Sequence, residues 1–252
     1  MPEVHAKLSA SGAKRWMACP KSVELEALFQ EEETSYAEEG TIAHAWCEKI
    51  LRAIIEKGIN PDQAKKIAEG CQTSEMKSAV LNYIDYCLEV YNEHAMKGPD
   101  ALALVEQRLD FSKWVPEGFG TGDFSAYGGE ILDIIDFKYG KGVRVSAREN
   151  PQLRLYGLGA LEDIGWIYPV KKIRMHIVQP RLDSISVEEL DVLDLIRWAE
   201  DYVKPKADQA ENGTGEYNPT PEGCKFCKAK ALCKHRASSI LGAITKIMKG
   251  TE

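Results

Sequence analysis

The stretch "ILDIIDFKYGKG", Ile131–Gly142, decides the fold class, because an apolar run of strand character ends in charged side chains. Alternate residues of a β-strand point to the same side of a sheet. Asp136 and Lys138 therefore project together, while Phe137 points to the opposite, packed side. A buried strand that presents an acid and a lysine on one surface indicates a functional site at its end.

Short strand-like runs surround this stretch. "ALALVEQRLDFS" and "GTGDFSAYGGE" precede it, and "YGGE" has the glycines of a hairpin turn that joins the second run to the third. "KKIRMHIVQP" and "SISVEELD" follow it and predict two more strands. The middle of the chain therefore predicts a central mixed β-sheet.

Helices are predicted where apolar residues recur at three- and four-residue spacing. The order of helices and strands indicates an α/β or α+β fold. We expect one domain, 1–252, with a helical part (1–100), a sheet core (101–190), and a last helix with a cysteine-bearing tail (191–252). The predicted helices are Ser9–Met17, Tyr36–Glu56, Pro61–Gly70, Ser74–Met96, one that begins near Pro151, and Val192–Asn212.

The composition favours a soluble, cytoplasmic protein. The 252 residues are 44% hydrophobic and can bury one substantial core. Neither an apolar run of about 20 residues nor a signal peptide is recognisable, so we expect no membrane contact. The net charge of −7 argues against bulk coating of nucleic acid but allows a local basic groove. Cations cluster in "DFKYGKGVRVSAREN" and "CKFCKAKALCKHR", which are either solvated faces or binding surfaces.

Several acids can gather around Asp136. If the hairpin pairs its two strands, Asp123 comes close to Asp136, and Glu106 can add a third carboxylate from the neighbouring strand. Clustered carboxylates repel one another unless a cation intervenes, and Mg²⁺ or Mn²⁺ suits an oxygen-rich site. Lys138 could then hold an attacking water or stabilise negative charge on a phosphate. The alternative is a surface Asp–Lys pair without a function.

Three residues on predicted helices extend this candidate site. His44, in "EEGTIAHAW", could complete a metal site with its imidazole, although a single histidine is often structural. Gln152 and Tyr156 are four residues apart, so they share one face of the helix that follows the acidic strands. Such a pair by itself also occurs as surface decoration.

Together, "GTIAH", "GTGDF", "IIDFK" and "QLRLY" resemble the RecB-like branch of the PD-(D/E)XK nuclease superfamily, from about Gly40 to Gly157. The resemblance implies an α/β fold with a restriction-endonuclease-like core: a central mixed sheet flanked by helices. It also implies a Mg²⁺- or Mn²⁺-dependent deoxyribonuclease, expected to be an exonuclease. Many members have Glu where this chain has Asp136. The implied metal ligands are His44, Asp123 and Asp136, and the other implied site residues are Lys138 for the water, Gln152 and Tyr156 for site organisation and DNA binding, and Glu106 as a less regular upstream acid.

The tail contains a second candidate metal site. Cys224, Cys227 and Cys233 form a C-x₂-C-x₅-C arrangement, which needs a fourth ligand such as His235 or Cys19. In one subgroup of these nucleases, which includes AddB-type subunits and four-cysteine CRISPR adaptation nucleases, one cysteine before the core and three after it hold a [4Fe-4S] cluster. That resemblance implies a cluster on all four cysteines, with structural Zn²⁺ as the alternative.

The cellular role is read from the resemblance only. A compact member without a G-x-x-x-x-G-K-[ST] motif is similar to small phage or prophage proteins, which implies a role in recombination, replication or repair. DNA would be the partner, with a single-strand-binding or annealing protein as a second one. The alternatives are a non-catalytic DNA-binding or assembly protein that keeps the nuclease fold, and a zinc-stabilised scaffold.

Overall fold

The computed structural model describes residues 6–29 and 35–249 and contains a five-stranded sheet with the order β1-β2-β3-β4-β5. β2 pairs antiparallel with β3, β3 pairs parallel with β4, and β4 pairs antiparallel with β5. The sheet is therefore mixed and helices flank it, which confirms the predicted fold class. The strands are β1 (Leu102–Asp110), β2 (Phe119–Gly128), β3 (Ile131–Phe137), β4 (Lys172–Gln179) and β5 (Ser184–Asp191).

The predicted hairpin joins β2 to β3. Gly128 pairs with Ile131, so Gly129 and Glu130 form a two-residue turn, and their φ angles of 57° and 69° are left-handed. A turn of this kind matches the right-handed twist of the flanking strands. Farther along the hairpin Phe124 pairs with Ile135, which brings Asp123, in the middle of β2, beside Asp136, near the end of β3.

Each predicted helix is present in the structure, whereas the helices Ser22–Glu26, Pro221–Lys225 and Lys234–Lys249 were not predicted. The first helix begins at Ala13 rather than Ser9, because the Ser9 hydroxyl accepts a hydrogen bond from the Gly12 N–H in the turn before it. No helix in the described ranges is long and apolar enough to cross a lipid bilayer. The α-helices are α1 (Ala13–Ala18), α2 (Ser22–Glu26), α3 (Ser35–Lys57), α4 (Pro61–Ala68), α5 (Ser74–Ala95), α6 (Pro151–Ile164), α7 (Val192–Trp198), α8 (Lys204–Glu211), α9 (Pro221–Lys225) and α10 (Lys234–Lys249), with a π-helical turn at Ala199–Val203 and a 3-10 turn at Pro180–Leu182.

The chain divides into two compact units. Unit 2, residues 33–110 and 120–196, contains α3 to α6 and nearly all of the sheet. Its core packs α3 and α5 against one face of the sheet, with Ile50, Tyr83 and Phe137 fully buried. The Tyr83 hydroxyl donates to the Ile135 carbonyl at 3.1 Å, so α5 is also hydrogen-bonded to β3. This packing holds the ends of β2 and β3 in place.

Unit 1 comprises residues 1–32, 111–119 and 197–252. Within it α1 contacts α8 and α9, and the Trp114 indole donates to Glu200 at 2.8 Å. All four cysteines of the predicted cluster belong to this unit. The organisation as one nuclease domain with three consecutive parts stays a prediction.

Candidate metal and catalytic site

Three elements of unit 2 bring potential metal ligands together. His44 from α3, Glu106 from β1 and Asp123 from β2 each offer a ligand atom, and these atoms all lie within 4.8 Å of one another. Within residues 6–29 and 35–249 this is the one group of three His, Cys, Asp or Glu side chains so closely spaced. His44 Nδ1 lies 3.0 Å from Asp123 Oδ1.

Glu106 has an unusual backbone conformation for a strand residue. Its φ is +48°, a left-handed value in the middle of β1. A non-glycine residue in this region carries strain of about 1–2 kcal/mol, and such strain often coincides with functional sites. Burial, followed by the charge of Asp123, raises the pKa of Glu106 to about 8. The fold thus holds a desolvated carboxyl group at a cost to backbone geometry, as a site that receives a cation would.

Asp123 connects the ligand group to β3. Its Oδ2 accepts a hydrogen bond from the Phe137 N–H at 2.7 Å, while Oδ1 faces His44. The His44 ring meets the Phe137 ring edge-on, with 5.1 Å between centroids. Burial would lower the pKa of His44, but the Asp123 carboxylate outweighs it and the pKa is raised. The Asp123 carboxylate and the Phe137 ring therefore both orient the imidazole of His44.

Asp136 and Lys138 form an ion pair, as strand alternation predicts, with 2.8 Å between Asp136 Oδ2 and Lys138 Nζ. Asp136 is buried, and within the described residues its Oδ2 accepts no well-directed hydrogen bond. Burial and the nearby Asp123 raise the pKa of Asp136 in spite of the lysine. Asp136 raises the pKa of Lys138 against the effect of burial, so the lysine stays an ammonium.

The predicted helical pair also reaches this point. Gln152 Oε1 accepts a hydrogen bond from Lys138 Nζ at 3.2 Å, and Gln152 Nε2 donates to the Tyr156 hydroxyl at 3.1 Å. A β-carbon at Gly120 would lie 2.6 Å from the Tyr156 ring, so glycine is required where β2 passes this tyrosine. Asp136, Lys138, Gln152 and Tyr156 therefore form one chain of polar contacts from β3 to α6.

The ligand chemistry suits a divalent cation. Carboxylate oxygens are preferred by Mg²⁺ and Mn²⁺, and an imidazole nitrogen suits transition ions better than Mg²⁺. His44, Glu106 and Asp123 provide two carboxylates and one imidazole, so the set fits Mn²⁺ especially well. Asp136 lies outside the 4.8 Å group and faces Lys138 instead. Its role as a metal ligand stays a prediction.

The four cysteines of the predicted cluster line one cavity of unit 1, which Tyr217 and His235 also line. All four are free thiols. The Asn218 N–H donates to Cys19 Sγ at 3.3 Å, and the Arg236 N–H donates to Cys233 Sγ at 3.4 Å. His235 stacks on Tyr217 at 3.9 Å between ring centroids. The structure thus brings Cys19 together with the three cysteines of the tail. Their spacing in the sequence could not establish this proximity.

A group of polar residues and one further polar side chain in unit 2 were not predicted. The first is a buried network around Asp133, in which His94, His176 and Arg174 contact its carboxylate. Arg174 and His176 are polar residues two apart in an otherwise apolar strand, and this pattern could have indicated a buried polar network. The second is Gln179, which is almost fully buried and hydrogen-bonded to a loop. No pattern in the sequence pointed to that residue.

Comparison with known proteins gives a family and two structural similarities. A crystal structure from Eubacterium rectale, of a protein provisionally named as an exonuclease, shares 14% identity over 90% of this chain and 88% of that chain, with a TM-score of 0.45. The structure of a protein named SSO0001 shares 17% identity over 89% of this chain and 96% of that one, with a TM-score of 0.29. A family model matches residues 5–250, and the chain therefore belongs to the family described as "Protein of unknown function (DUF2800)".

Proposed function

We propose that this protein is a divalent-metal-dependent deoxyribonuclease that hydrolyses phosphodiester bonds as an exonuclease. The observation that carries the proposal is the adjacency of two groups where the middle of β2 lies beside the end of β3. One is the ligand set His44, Glu106 and Asp123, and the other is the buried ion pair of Asp136 and Lys138. A cation site beside a fixed ammonium group matches the needs of phosphoryl transfer, where charge develops on oxygen.

Each residue of the first group has a binding role. His44 and Asp123 would hold the ion, Glu106 would contribute a third ligand, and Asp136, from the second group, would add a carboxylate from β3. A bound Mg²⁺ or Mn²⁺ would polarise the phosphoryl oxygen and lower the pKa of bound water. The raised pKa of Glu106, about 8, means that ion binding competes with a proton at this carboxyl group, so the affinity for the ion rises with pH.

Lys138 supplies a positive charge to the candidate site in addition to that of the metal ion. Its ammonium group contacts Asp136 on one side and Gln152 on the other, which fixes its position. A fixed ammonium can orient the attacking water and stabilise the negative charge that develops on the phosphate. Tyr156 in turn holds Gln152, so α6 acts as the support for the lysine.

The test is cleavage of end-labelled linear DNA, single- and double-stranded, with Mg²⁺ or Mn²⁺. Asp136→Asn and Lys138→Ala are each expected to lower the rate by about 10²-fold or more. Lys172→Ala, which removes an exposed lysine paired with Glu189, is the matched control and should cleave normally. Stepwise shortening from one end would identify an exonuclease. Variants as active as the wild type would refute the site, and inactive wild-type protein would refute the activity.

The cysteine cavity is proposed to hold a [4Fe-4S] cluster on Cys19, Cys224, Cys227 and Cys233. A tetrahedral zinc ion with Zn–S bonds of about 2.3 Å keeps its sulfur ligands about 3.8 Å apart. In the described part of the chain, no three of these sulfurs lie within 4.8 Å of one another. The wider spacing supports a cluster over a single zinc ion, and the two N–H···S hydrogen bonds are typical of the environment of cluster thiolates.

The cellular role follows from this activity. An exonuclease that resects DNA ends acts in recombination, replication or repair. A single-strand-binding or annealing protein would be its natural partner, since resection exposes single strands. A phage or prophage origin stays a prediction of the sequence.

A further inference from the structure

The segment Tyr139–Glu149, called here the basic loop, starts and ends at the candidate active site. It begins directly after Lys138 and leads into α6, of which Gln152 is the second residue. Lys138 Nζ and Gln152 Oε1 are 3.2 Å apart, so one hydrogen bond joins the two ends of the excursion. The basic loop therefore leaves the Asp136–Lys138 pair and returns to it.

The basic loop carries more positive than negative charge, with one lysine, two arginines and Glu149 at its end. Lys141, Arg144 and Arg148 lie in it, and no carboxylate occurs between Lys138 and Arg148, although the whole chain has a net charge of −7. Lys141 forms a long ion pair with Glu75, with 3.5 Å between Lys141 Nζ and Glu75 Oε1. Arg144 and Arg148 are exposed, and within the residues that the structure describes neither side chain forms an ion pair or a hydrogen bond. Two exposed guanidinium groups on the basic loop thus remain available for a ligand.

The path of the basic loop is fixed by a buried side chain. Gln179, at the end of β4 and 1% exposed, donates to the carbonyl groups of Gly140 at 2.6 Å and Val143 at 2.9 Å. Its Oε1 accepts from the Val145 N–H at 3.1 Å. Farther along, the N–H of buried Ala147 donates to the Ser186 hydroxyl at 3.0 Å. Because the backbone of the loop is held in this way, binding of a ligand by its cations adds little cost for ordering the backbone.

We propose that the basic loop is the element that grips the DNA backbone next to the scissile bond, with Arg144 and Arg148 as phosphate ligands and Gln179 as the residue that positions them. The inference rests on the proposed nuclease function and names the residues that hold its substrate. A guanidinium group binds phosphate oxygens through two parallel N–H donors, which suits arginine to this role. Contacts of this kind set the register of a strand without reading its sequence.

The test measures the affinity of the full-length protein for fluorescein-labelled DNA in EDTA, where metal-dependent cleavage does not occur. The salt concentration is varied from about 50 to about 200 mM, and the slope of log K against log salt counts the phosphate contacts. Arg144→Gln and Arg148→Gln should each reduce the slope by about 1, and the double variant by about 2. Lys171→Gln removes an exposed cation, paired with Glu130 at the opposite ends of β3 and β4, and should leave the slope unchanged.

Kinetics and proteolysis add independent measurements. With metal present, the double arginine variant should raise KM severalfold and keep kcat, since uniform binding is lost. Gln179→Leu should also raise KM, and trypsin should cut its basic loop after Lys141 and Arg144 faster than in the wild type. DNA should protect the wild-type loop from trypsin.

The outcomes separate this inference from the proposed function. If the wild type binds and cleaves DNA but the double arginine variant keeps the same salt slope and KM, the basic loop is not the phosphate-binding element and the nuclease assignment stands. If the wild type neither binds nor cleaves DNA, both proposals fall. Both arginine side chains are exposed, so the substitutions should leave the melting temperature unchanged, and this is measured alongside.

Discussion

His94 Nε2 lies 2.6 Å from Asp133 Oδ2, and both side chains are completely buried. The other ring nitrogen of His94 lies 2.9 Å from the Gly128 carbonyl, which can only accept a hydrogen bond. Both nitrogens of His94 therefore face oxygen atoms, one of which belongs to the Asp133 carboxylate. His176 Nε2 contacts the second carboxylate oxygen at 2.6 Å, so Asp133 ties α5 to β3 and β4.

The first prediction concerns the stability that this network provides. Asp133→Asn keeps the shape of the side chain but removes the negative charge that His94 and Arg174 face. Loss of one partner from a buried ion pair leaves the other charge uncompensated and costs about 3–5 kcal/mol. The free energy of unfolding in urea should fall by an amount of this order. Glu93→Gln removes the exposed partner of Arg174 at 3.4 Å and should change stability by about 0.5 kcal/mol or less.

The second prediction is the pH dependence of that stability. Burial would raise the pKa of Asp133, but hydrogen bonds from His176, His94 and Arg174 outweigh it and hold the pKa far below its usual 3.8. The folded state thus binds this proton more weakly than the unfolded state, so the contribution is complete above pH 3.8 and declines as the pH falls below it. The stability difference between wild type and Asp133→Asn should shrink as the pH falls below about 4. A difference that grows in acid would contradict the network.

The third prediction uses the left-handed backbone of Glu106. Glu106→Ala and Glu106→Gly remove the same ligand, but only glycine adopts a φ of +48° without strain. In EDTA the glycine variant should be about 1 kcal/mol more stable than the alanine variant. Both should bind Mn²⁺ more weakly than the wild type in isothermal titration calorimetry. Equal stability of the two variants would show that the backbone of β1 is unstrained at this residue.

The fourth prediction concerns the cysteine cavity. Protein purified without oxygen should be brown and contain iron and sulfide in equal amounts, and Cys227→Ser should lose both. Cys71→Ser, which alters a thiol of unit 2, should keep them. Because metal binding contributes folding free energy, Cys227→Ser should also expose unit 1 to proteases. Colourless wild-type protein that contains zinc would favour the structural zinc site instead.

Much of the fold and part of the site follow from local patterns. Period-2 alternation placed Asp136 and Lys138 on one surface, and the "YGGE" turn brought Asp123 beside Asp136, because a strand and a two-residue hairpin have nearly invariant geometry. The four-residue spacing of Gln152 and Tyr156 likewise placed them in contact, since they share one helix face. In each case the spacing along the chain is short enough for backbone geometry to determine the distance.

The remaining features depend on contacts between distant parts of the chain. His44 meets Asp123 across 79 residues, Asp133 meets His176 across 43, and Gln179 holds Val145 across 34. No periodicity encodes such pairs. They arise only when α3 packs on the sheet and β4 pairs with β3 in one register. The left-handed backbone of Glu106 is of the same kind: the packed sheet imposes a conformation that a glutamate alone would avoid. Local geometry therefore determined the strand that carries the candidate site, and packing decided which side chains surround it.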